Sequence, residues 1–228
     1  GFFGHAVVDM MRRGARLIVV DPRITWLSSR ADYHLRVRPG TDAALVAGIA
    51  HYLIKNDLVD LDFLHTYCMG FDEESMPEEA RGKNLSYRDY IMGTGYDMVP
   101  KTPQWAAPIC GLPAERIEYL AHFITDHETC FITQGYGPQR HHNGEWNAAA
   151  IAALPVITGN VGRAGTSPGL NGKGMQMSFD GGMWNSVPIG ENPVKKKISI
   201  SGRFNAIDHP LEMTALTDGI TGGDKLEV

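Results

Sequence analysis

A glycine-rich segment after a short apolar run carries the side chains best suited to binding a ligand. Residues 134–140 read Gln-Gly-Tyr-Gly-Pro-Gln-Arg, and a helical stretch of small residues follows them. Gly135 and Gly137 would let a ligand approach the backbone closely, because they have no side chain. The Gln139 amide offers donors and acceptors to a heterocycle, and the Arg140 guanidinium can hold a pyrophosphate. The segment predicts a site for a flat, anionic molecule, against the alternative of a glycine-rich turn with a solvated arginine.

A second group of polar residues lies nearer the start of the chain. It consists of two triplets that each follow a predicted strand, Asp21-Pro22-Arg23 and Gly40-Thr41-Asp42. In an open α/β sheet, ligands bind beyond the carboxyl ends of the strands, where helix N-termini point into the gap. Asp21 could accept hydrogen bonds from ribose hydroxyls or a guanine edge, and Arg23 could bind a phosphate. Both triplets are also common turn sequences, so capping aspartates with a surface arginine remain the alternative.

The sequence offers no convincing catalytic nucleophile or acid–base pair, since no Ser/His/Asp or Cys/His arrangement follows from the spacing. His141 and His142 are neighbours and would point about 100° apart on a helix, so they make no joint metal site. We expect side chains that either face solvent or support the residues in contact with a ligand. The three cysteines, Cys68, Cys110 and Cys130, lack the paired spacing of zinc or iron–sulfur sites. We expect them to be buried thiols.

Strands and helices are predicted to alternate as far as residue 160. The strands are predicted at residues 16–20, 35–37 and 129–133, and the helices at 2–13, 42–55, 61–67, 103–110, 113–125 and 145–158. Thr41 is expected to cap the helix that begins at Asp42. Strands separated by helices imply parallel pairing and an α/β layer architecture. We therefore predict an α/β fold, with a parallel sheet and flanking helices, over residues 1–160.

The composition changes from Gly159 onward. Residues 159–190 are dense in Gly, Asn, Ser and Met and have no sustained periodicity. A long irregular segment in a compact domain is typical of a cofactor-lining segment, but a disordered loop has the same composition, and both interpretations stay open. We predict an irregular linking extension over residues 161–228 that is cut before a further domain.

Composition and charge exclude several classes of protein. The 228 residues carry a formal net charge of −5 and have a pI near 6.0, so we expect no nucleic-acid partner. No apolar run approaches the roughly 20 residues that span a bilayer, and no export signal opens the sequence. The chain starts with Gly1 inside a helical pattern. We expect an internal piece of a longer protein.

Four stretches resemble the molybdopterin oxidoreductases in order and spacing. They are Arg16-Leu-Ile-Val-Val-Asp-Pro-Arg23, Val37-Arg-Pro-Gly-Thr-Asp-Ala-Ala-Leu45, residues 134–140 with Asn143-Gly-Glu145, and Thr158-Gly-Asn-Val-Gly162. The resemblance covers nearly the whole chain and points, within the family, to the catalytic chains of anaerobic dimethyl sulfoxide reductases. It implies that residues 1–160 form a dinucleotide-binding domain of that fold, incomplete at its N-terminus.

The resemblance also implies a cofactor. Family members bind molybdenum through two molybdopterin guanine dinucleotides (bis-MGD) and reduce sulfoxides or N-oxides by oxygen-atom transfer. By residue matching, the guanosine end of one dinucleotide would be held by Asp21, Pro22, Arg23, Gly40 and Asp42. A pterin dinucleotide nearer the metal would be contacted by Gly135, Tyr136, Gly137, Gln139 and Arg140. The same tunnel would be lined by Gly159 and Asn160.

Further expectations follow from the same resemblance. It implies anaerobic respiration at the periplasmic face of the cytoplasmic membrane, with an iron–sulfur electron-transfer subunit, a membrane anchor subunit and a small sulfoxide or N-oxide as substrate. The cysteine motif for a 4Fe-4S cluster and the segment that supplies a serine ligand to molybdenum are not found in this sequence. We therefore expect no metal ligand and no catalytic residue within the chain, and no turnover by the chain alone.

Other functions remain open at this stage. One is a non-catalytic module that binds a guanine nucleotide through Asp21 and Asp42. Another is an interaction domain whose glycine-rich residues 159–190 dock a partner. Within the family, selenate and polysulfide reductases are the neighbouring alternatives.

Overall fold

The computed structural model describes residues 2–127 and 129–169 of the 228-residue chain. The helices in this part are α1 (Phe2–Arg12), α2 (Asp42–Lys55), α3 (Leu61–Tyr67), α4 (Tyr87–Met92), α5 (Pro103–Cys110), α6 (Ala114–Thr125) and α7 (Gly144–Ile157). The strands are β1 (Ile18–Val20) and β2 (Tyr33–Leu35), and two short 3₁₀ turns cover Ser28–Arg30 and Glu78–Ala80. The predicted α/β class is confirmed, and most of the predicted extension lies outside the described residues.

The two strands form a parallel sheet as predicted, although a short 3₁₀ turn rather than an α-helix lies between them. Ile18 lies opposite Tyr33, and Val20 lies opposite Leu35. The Asp32 carboxylate accepts hydrogen bonds from the Leu17 amide at 2.7 Å and from Arg16 Nε at 2.9 Å. These bonds, the amide first, hold the pKa of Asp32 below its usual value and tie the two strand entrances together.

Helix α2 lies at the centre of the core because its apolar residues point in several directions. It packs against α4, α5, α6 and α7, and its buried residues include Leu45, Ile49 and Leu53. Gly48 allows the closest approach, since a Cβ there would lie 2.8 Å from the Cβ of Ala106 on α5. The helices therefore supply most of the apolar interior, and the small sheet covers one side of it.

The predicted strand at residues 129–133 does not form within the described part of the chain. Cys130 donates its amide hydrogen to Asn160 Oδ1 at 2.9 Å, and the Ile132 carbonyl accepts from the Ser167 hydroxyl. This segment bonds to side chains of residues 160–167 rather than to a neighbouring strand. The prediction was wrong because a strand needs a partner ladder, which an apolar run does not reveal.

Two smaller predictions also need correction, and one helix was missed. The second strand ends at Leu35 rather than residue 37, because the chain leaves the sheet and the Arg38 amide donates to the Cys110 carbonyl oxygen at 2.8 Å. Thr41 occupies the cap position of α2, but its hydroxyl donates to the Arg38 carbonyl oxygen and makes no cap bond. Helix α4 was missed, although Ser86 and Asp89 form the capping box that their spacing permits.

The cysteines are free thiols, but only Cys110 is fully buried, and Cys68 and Cys130 are partly exposed. Burial raises the pKa of all three thiols. The described residues include no group of three or more metal-ligating side chains. Among the same residues, every helix is too short or too polar to cross a membrane.

Candidate functional site

The Gly40–Asp42 turn and the loop of residues 134–140 come together where α2 and α7 begin. Asn147, in the first turns of α7, accepts a hydrogen bond from the Ala43 amide through Oδ1 at 2.9 Å. Its Nδ2 donates to the Pro138 carbonyl oxygen at 3.2 Å. Asn147 is only 4% exposed. One buried side chain therefore connects the Gly40–Asp42 turn with the loop of residues 134–140.

His141 closes the same junction from the other side. Gly40 adopts a φ of +78°, and a Cβ added there would lie 3.5 Å from Cγ of the His141 ring. Burial raises the pKa of Asp42, and the nearby His141 acts in the opposite direction. His141 and His142 are both exposed, as expected. The His141 ring is nevertheless close enough to influence the first carboxylate of α2.

The loop of residues 134–140 folds back onto the start of α7. Gly144 donates its amide hydrogen to the His141 carbonyl oxygen at 2.9 Å. A Cβ on Gly144 would overlap the Gln139 carbonyl group, so only glycine permits this path. In contrast, a Cβ on Gly135 or Gly137 would meet no atom within 4 Å. The backbone at these two glycines therefore presents an open face to a ligand.

The polar side chains of the loop divide into an anchor and a free group. Gln134 Nε2 donates to the carbonyl oxygens of Ala148 at 3.0 Å and Gly169 at 2.7 Å, which anchors the start of the loop. Gln139 and Arg140 are exposed, and the Arg140 guanidinium lies 5.6 Å from the centre of the Tyr136 ring. A ligand at the open glycines could reach these exposed groups.

Asp21 lies beyond the carboxyl end of β1. Its amide continues the ladder to the Leu35 carbonyl oxygen at 3.1 Å, and its Oδ1 accepts from the Arg23 amide at 2.8 Å. Pro22 and Arg23 are exposed. Asp21 thus forms a local turn and caps no helix. The Asp21–Arg23 turn shares the sheet edge with the chain that leads from β2 to Gly40, but is joined to the loop by no described hydrogen bond.

Gly159 and Asn160 lie at the opposite end of α7. This helix has 14 residues and is therefore about 20 Å long. Gly159 has a φ of +64° and packs against the Asp60 carboxylate, and Asn160 is buried with its Oδ1 bonded to the Cys130 amide. The structure does not bring these two residues together with residues 135–140.

Two contributors to this site were missed in the sequence. Asn147 and Gly144 are buried and hold the loop against the two helix starts. A polar amide within an Ala-rich helix was a usable signal, because such a side chain needs partners when it is buried. The distant partner, Ala43, could not be read from the local sequence.

The arrangement fits a nucleotide-bearing cofactor. The carboxylates Asp21 and Asp42 offer acceptors that complement a guanine edge or ribose hydroxyls. The exposed guanidiniums of Arg23 and Arg140 complement phosphate oxygens. Asp21 and Arg23 lie beyond the carboxyl end of the parallel strand β1, a position where α/β domains commonly bind cofactors.

Comparison with known proteins agrees with this class. The model of the molybdopterin oxidoreductase family matches residues 4–215, and the chain belongs to this family. It is 47% identical over 95% of its length to a putative dimethyl sulfoxide reductase chain of Escherichia coli. It is also 47% identical over 94% of its length to the dimethyl sulfoxide reductase of Haemophilus influenzae. In both cases it covers 26% of the relative, so the chain spans about a quarter of the length of these relatives.

A solved structure is similar as well. The acetylene hydratase of Pelobacter acetylenicus matches 69% of this chain and 19% of its own chain, with a TM-score of 0.56 and 26% sequence identity. This likeness supports the α/β architecture with a small parallel sheet and flanking helices.

Proposed function

We propose that this chain binds a molybdopterin guanine dinucleotide and contributes to the cofactor site of a molybdenum-dependent oxidoreductase. The observation that carries the proposal is the Asn147 bridge, which joins the Gly40–Asp42 turn to the open glycine loop. Family membership supports a molybdenum–pterin cofactor. The family resemblance implies the guanine dinucleotide form, and the carboxylates and guanidiniums around the junction support it.

Each residue has a role in this proposal. The guanosine end is held by Asp21, Pro22, Arg23, Gly40 and Asp42, and the pterin dinucleotide nearer the metal is contacted by Gly135, Tyr136, Gly137, Gln139 and Arg140. Asp42 accepts hydrogen bonds from the base or ribose, and Arg140 neutralises phosphate charge. Gly159 and Asn160 belong to the same site only if the cofactor extends along α7. The bound cofactor supplies two-electron oxygen-atom transfer, and the protein positions it.

We further propose that the whole protein reduces dimethyl sulfoxide or a related S- or N-oxide as a terminal reductase of anaerobic respiration. The names of the relatives support this substrate class, since one from Rhodobacter capsulatus, 33% identical over 83% of this chain, is a dimethyl sulfoxide/trimethylamine N-oxide reductase. The proposal includes an iron–sulfur electron-transfer subunit, a membrane anchor, a periplasmic location and a 4Fe-4S cluster held by residues other than those described. The proposed cofactor is bis-MGD, in which two molybdopterin guanine dinucleotides bind one molybdenum ion.

Calorimetric titration of the chain with GDP tests the binding proposal. We expect GDP to bind and ADP to bind more weakly, because the carboxylates match the guanine donors. Arg140→Ala should weaken GDP binding about tenfold through the loss of a charge-assisted hydrogen bond to phosphate. Arg88→Ala, which removes another exposed arginine, is the matched control.

Two outcomes would contradict the proposal or narrow it. If GDP does not bind, or if Arg140→Ala and Arg88→Ala have equal effects, the nucleotide site is not at this junction. If GDP and the complete molybdopterin dinucleotide bind equally well, the alternative of a simple guanine-nucleotide module is favoured.

A further inference from the structure

We propose that Asn147 is a positioning residue that caps α2 from another helix and thereby sets the distance between the two halves of the dinucleotide site. The predicted effect of Asn147 on ligand binding rests on the proposed function. The bridge itself is a property of the chain and can be measured without any ligand.

The first step concerns the backbone amides at the start of α2. The first amides of a helix have no acceptor within the helix, and a side chain at the cap position commonly supplies one. Thr41 occupies that position but uses its hydroxyl to donate to the Arg38 carbonyl oxygen at 2.7 Å. The Ala43 amide is bonded instead to Asn147 Oδ1 at 2.9 Å. A residue 104 positions away therefore provides the acceptor that the local sequence does not.

The second step concerns the glycine loop. Asn147 Nδ2 donates to the Pro138 carbonyl oxygen at 3.2 Å, in the middle of a loop whose start is anchored by Gln134. The orientation of the Asn147 amide is set by both partners, because the Ala43 amide is only a donor and the Pro138 carbonyl is only an acceptor. An oxygen and a nitrogen are both required, and asparagine supplies them at this length.

The third step concerns what the bridge does for a ligand. The residues that would touch the cofactor, Gly137, Gln139 and Arg140, are exposed. The buried amide fixes the loop backbone beside them relative to the first turn of α2, where Asp42 lies. A ligand that contacts both segments then meets a preformed spacing and loses less free energy in ordering the loop.

Hydrogen–deuterium exchange on the ligand-free chain tests the bridge. With Asn147→Ala, we expect faster exchange at Ala43 and in residues 137–141, with no change in α5 and α6. With Asn147→Asp, the carboxylate still accepts from the Ala43 amide but cannot donate to Pro138, so only the loop should exchange faster. Asn56→Ala removes a hydrogen bond to the Tyr52 carbonyl oxygen at the other end of α2 and is the matched control.

The same variants are then titrated with GDP. We expect Asn147→Ala and Asn147→Asp to bind about tenfold more weakly than the wild type, and Asn56→Ala to bind as the wild type does. Unchanged exchange at Ala43 and the loop, or equally faster exchange throughout the chain, would overturn the role of Asn147. If Asn147→Ala does not fold, the test rests on Asn147→Asp, in which the loop but not Ala43 should exchange faster than in the wild type. If the Asn147 variants show the expected exchange pattern but the wild-type chain binds no GDP, the proposed function is refuted and the bridge stands.

Discussion

Asp42 begins helix α2 with a partly buried carboxylate near the His141 ring. The helix N-terminus favours a negative charge there, whereas burial opposes it and raises the pKa of the carboxyl group. The ionised Asp42 carboxylate therefore stabilises the folded chain less than an uncharged side chain would. In the proposed function, the carboxylate is retained because it accepts hydrogen bonds from the ligand.

Replacing Asp42 with asparagine tests this compromise. The pKa of Asp42 in the folded chain is raised above its ordinary value of 3.8, so its contribution to stability is full below that pH and is lost as the pH rises through the folded-state pKa. Asp42→Asn has no such titration. Its free energy of unfolding should therefore increase relative to the wild type between about pH 3 and pH 7, as measured by urea unfolding.

The control for this prediction is Asp62→Asn, which removes an exposed aspartate from the first turn of α3. It measures the contribution of a helix-end charge without the burial of Asp42. A difference between Asp42→Asn and the wild type that stays constant or shrinks as the pH rises would contradict the expected linkage. GDP binding should weaken in Asp42→Asn even where the variant is the more stable protein.

At the scale of elements, the start of α7 is the part that shapes the loop. Gly144 is the first residue of the helix, and its lack of a side chain lets the Gln139 carbonyl lie directly against it. Asn143 precedes it in the left-handed region, with a φ of +54°. This tight entry brings the loop back over the helix N-terminus, and Asn147 then connects the loop to α2.

Two glycine-to-alanine variants distinguish packing from ligand approach. Gly144→Ala should lower the free energy of unfolding by about 1–3 kcal/mol, because the new Cβ overlaps backbone that must shift. Gly137→Ala should change it by less than about 0.5 kcal/mol, since the new Cβ meets no atom within 4 Å. Both variants should weaken GDP binding in calorimetry, the first by moving the loop and the second by blocking close approach. If Gly144→Ala and Gly137→Ala have equal free energies of unfolding, the loop does not follow the path described.

At the scale of the molecule, the described core is built by helices around α2, with a parallel sheet of two strands at its side. Two strands alone form a marginal sheet, so the packing of α2 against α5, α6 and α7 contributes most of the buried apolar surface. Both segments of the candidate site extend from this core. The site is therefore positioned by helix packing as much as by the sheet.

The chain by itself is expected to bind nucleotide without turning over an oxide. The chain spans about a quarter of the length of its relatives, and the proposed reductase also needs a cluster and subunits besides this chain. The measurement is oxidation of reduced viologen dye by dimethyl sulfoxide under anaerobic conditions, with the reaction lacking protein as control. A rate that exceeds this control and scales with the amount of chain would overturn the expectation.

The helices were largely predictable because their determinants are local. The bounds of α2, α3 and α5 agree with the prediction, since apolar periodicity is read within one segment. The strand at residues 129–133 was not predictable for the opposite reason. An extended apolar run becomes a strand only beside a partner, and here the Cys130 amide found the Asn160 side chain instead.

The sequence by itself determined the α/β class, the family and the polar residues that follow β1 and β2, because residue type and order along the chain carry that information. Only the tertiary structure decided which of these residues are neighbours. The tertiary structure joins Gly40 and Asp42 to the loop before α7 through Asn147 and His141. It places Gly159 and Asn160 at the far end of α7, one helix length away from that loop. The physical reason is that a hydrogen bond between residues 104 positions apart depends on how α2 packs against α7, and local sequence does not encode that packing.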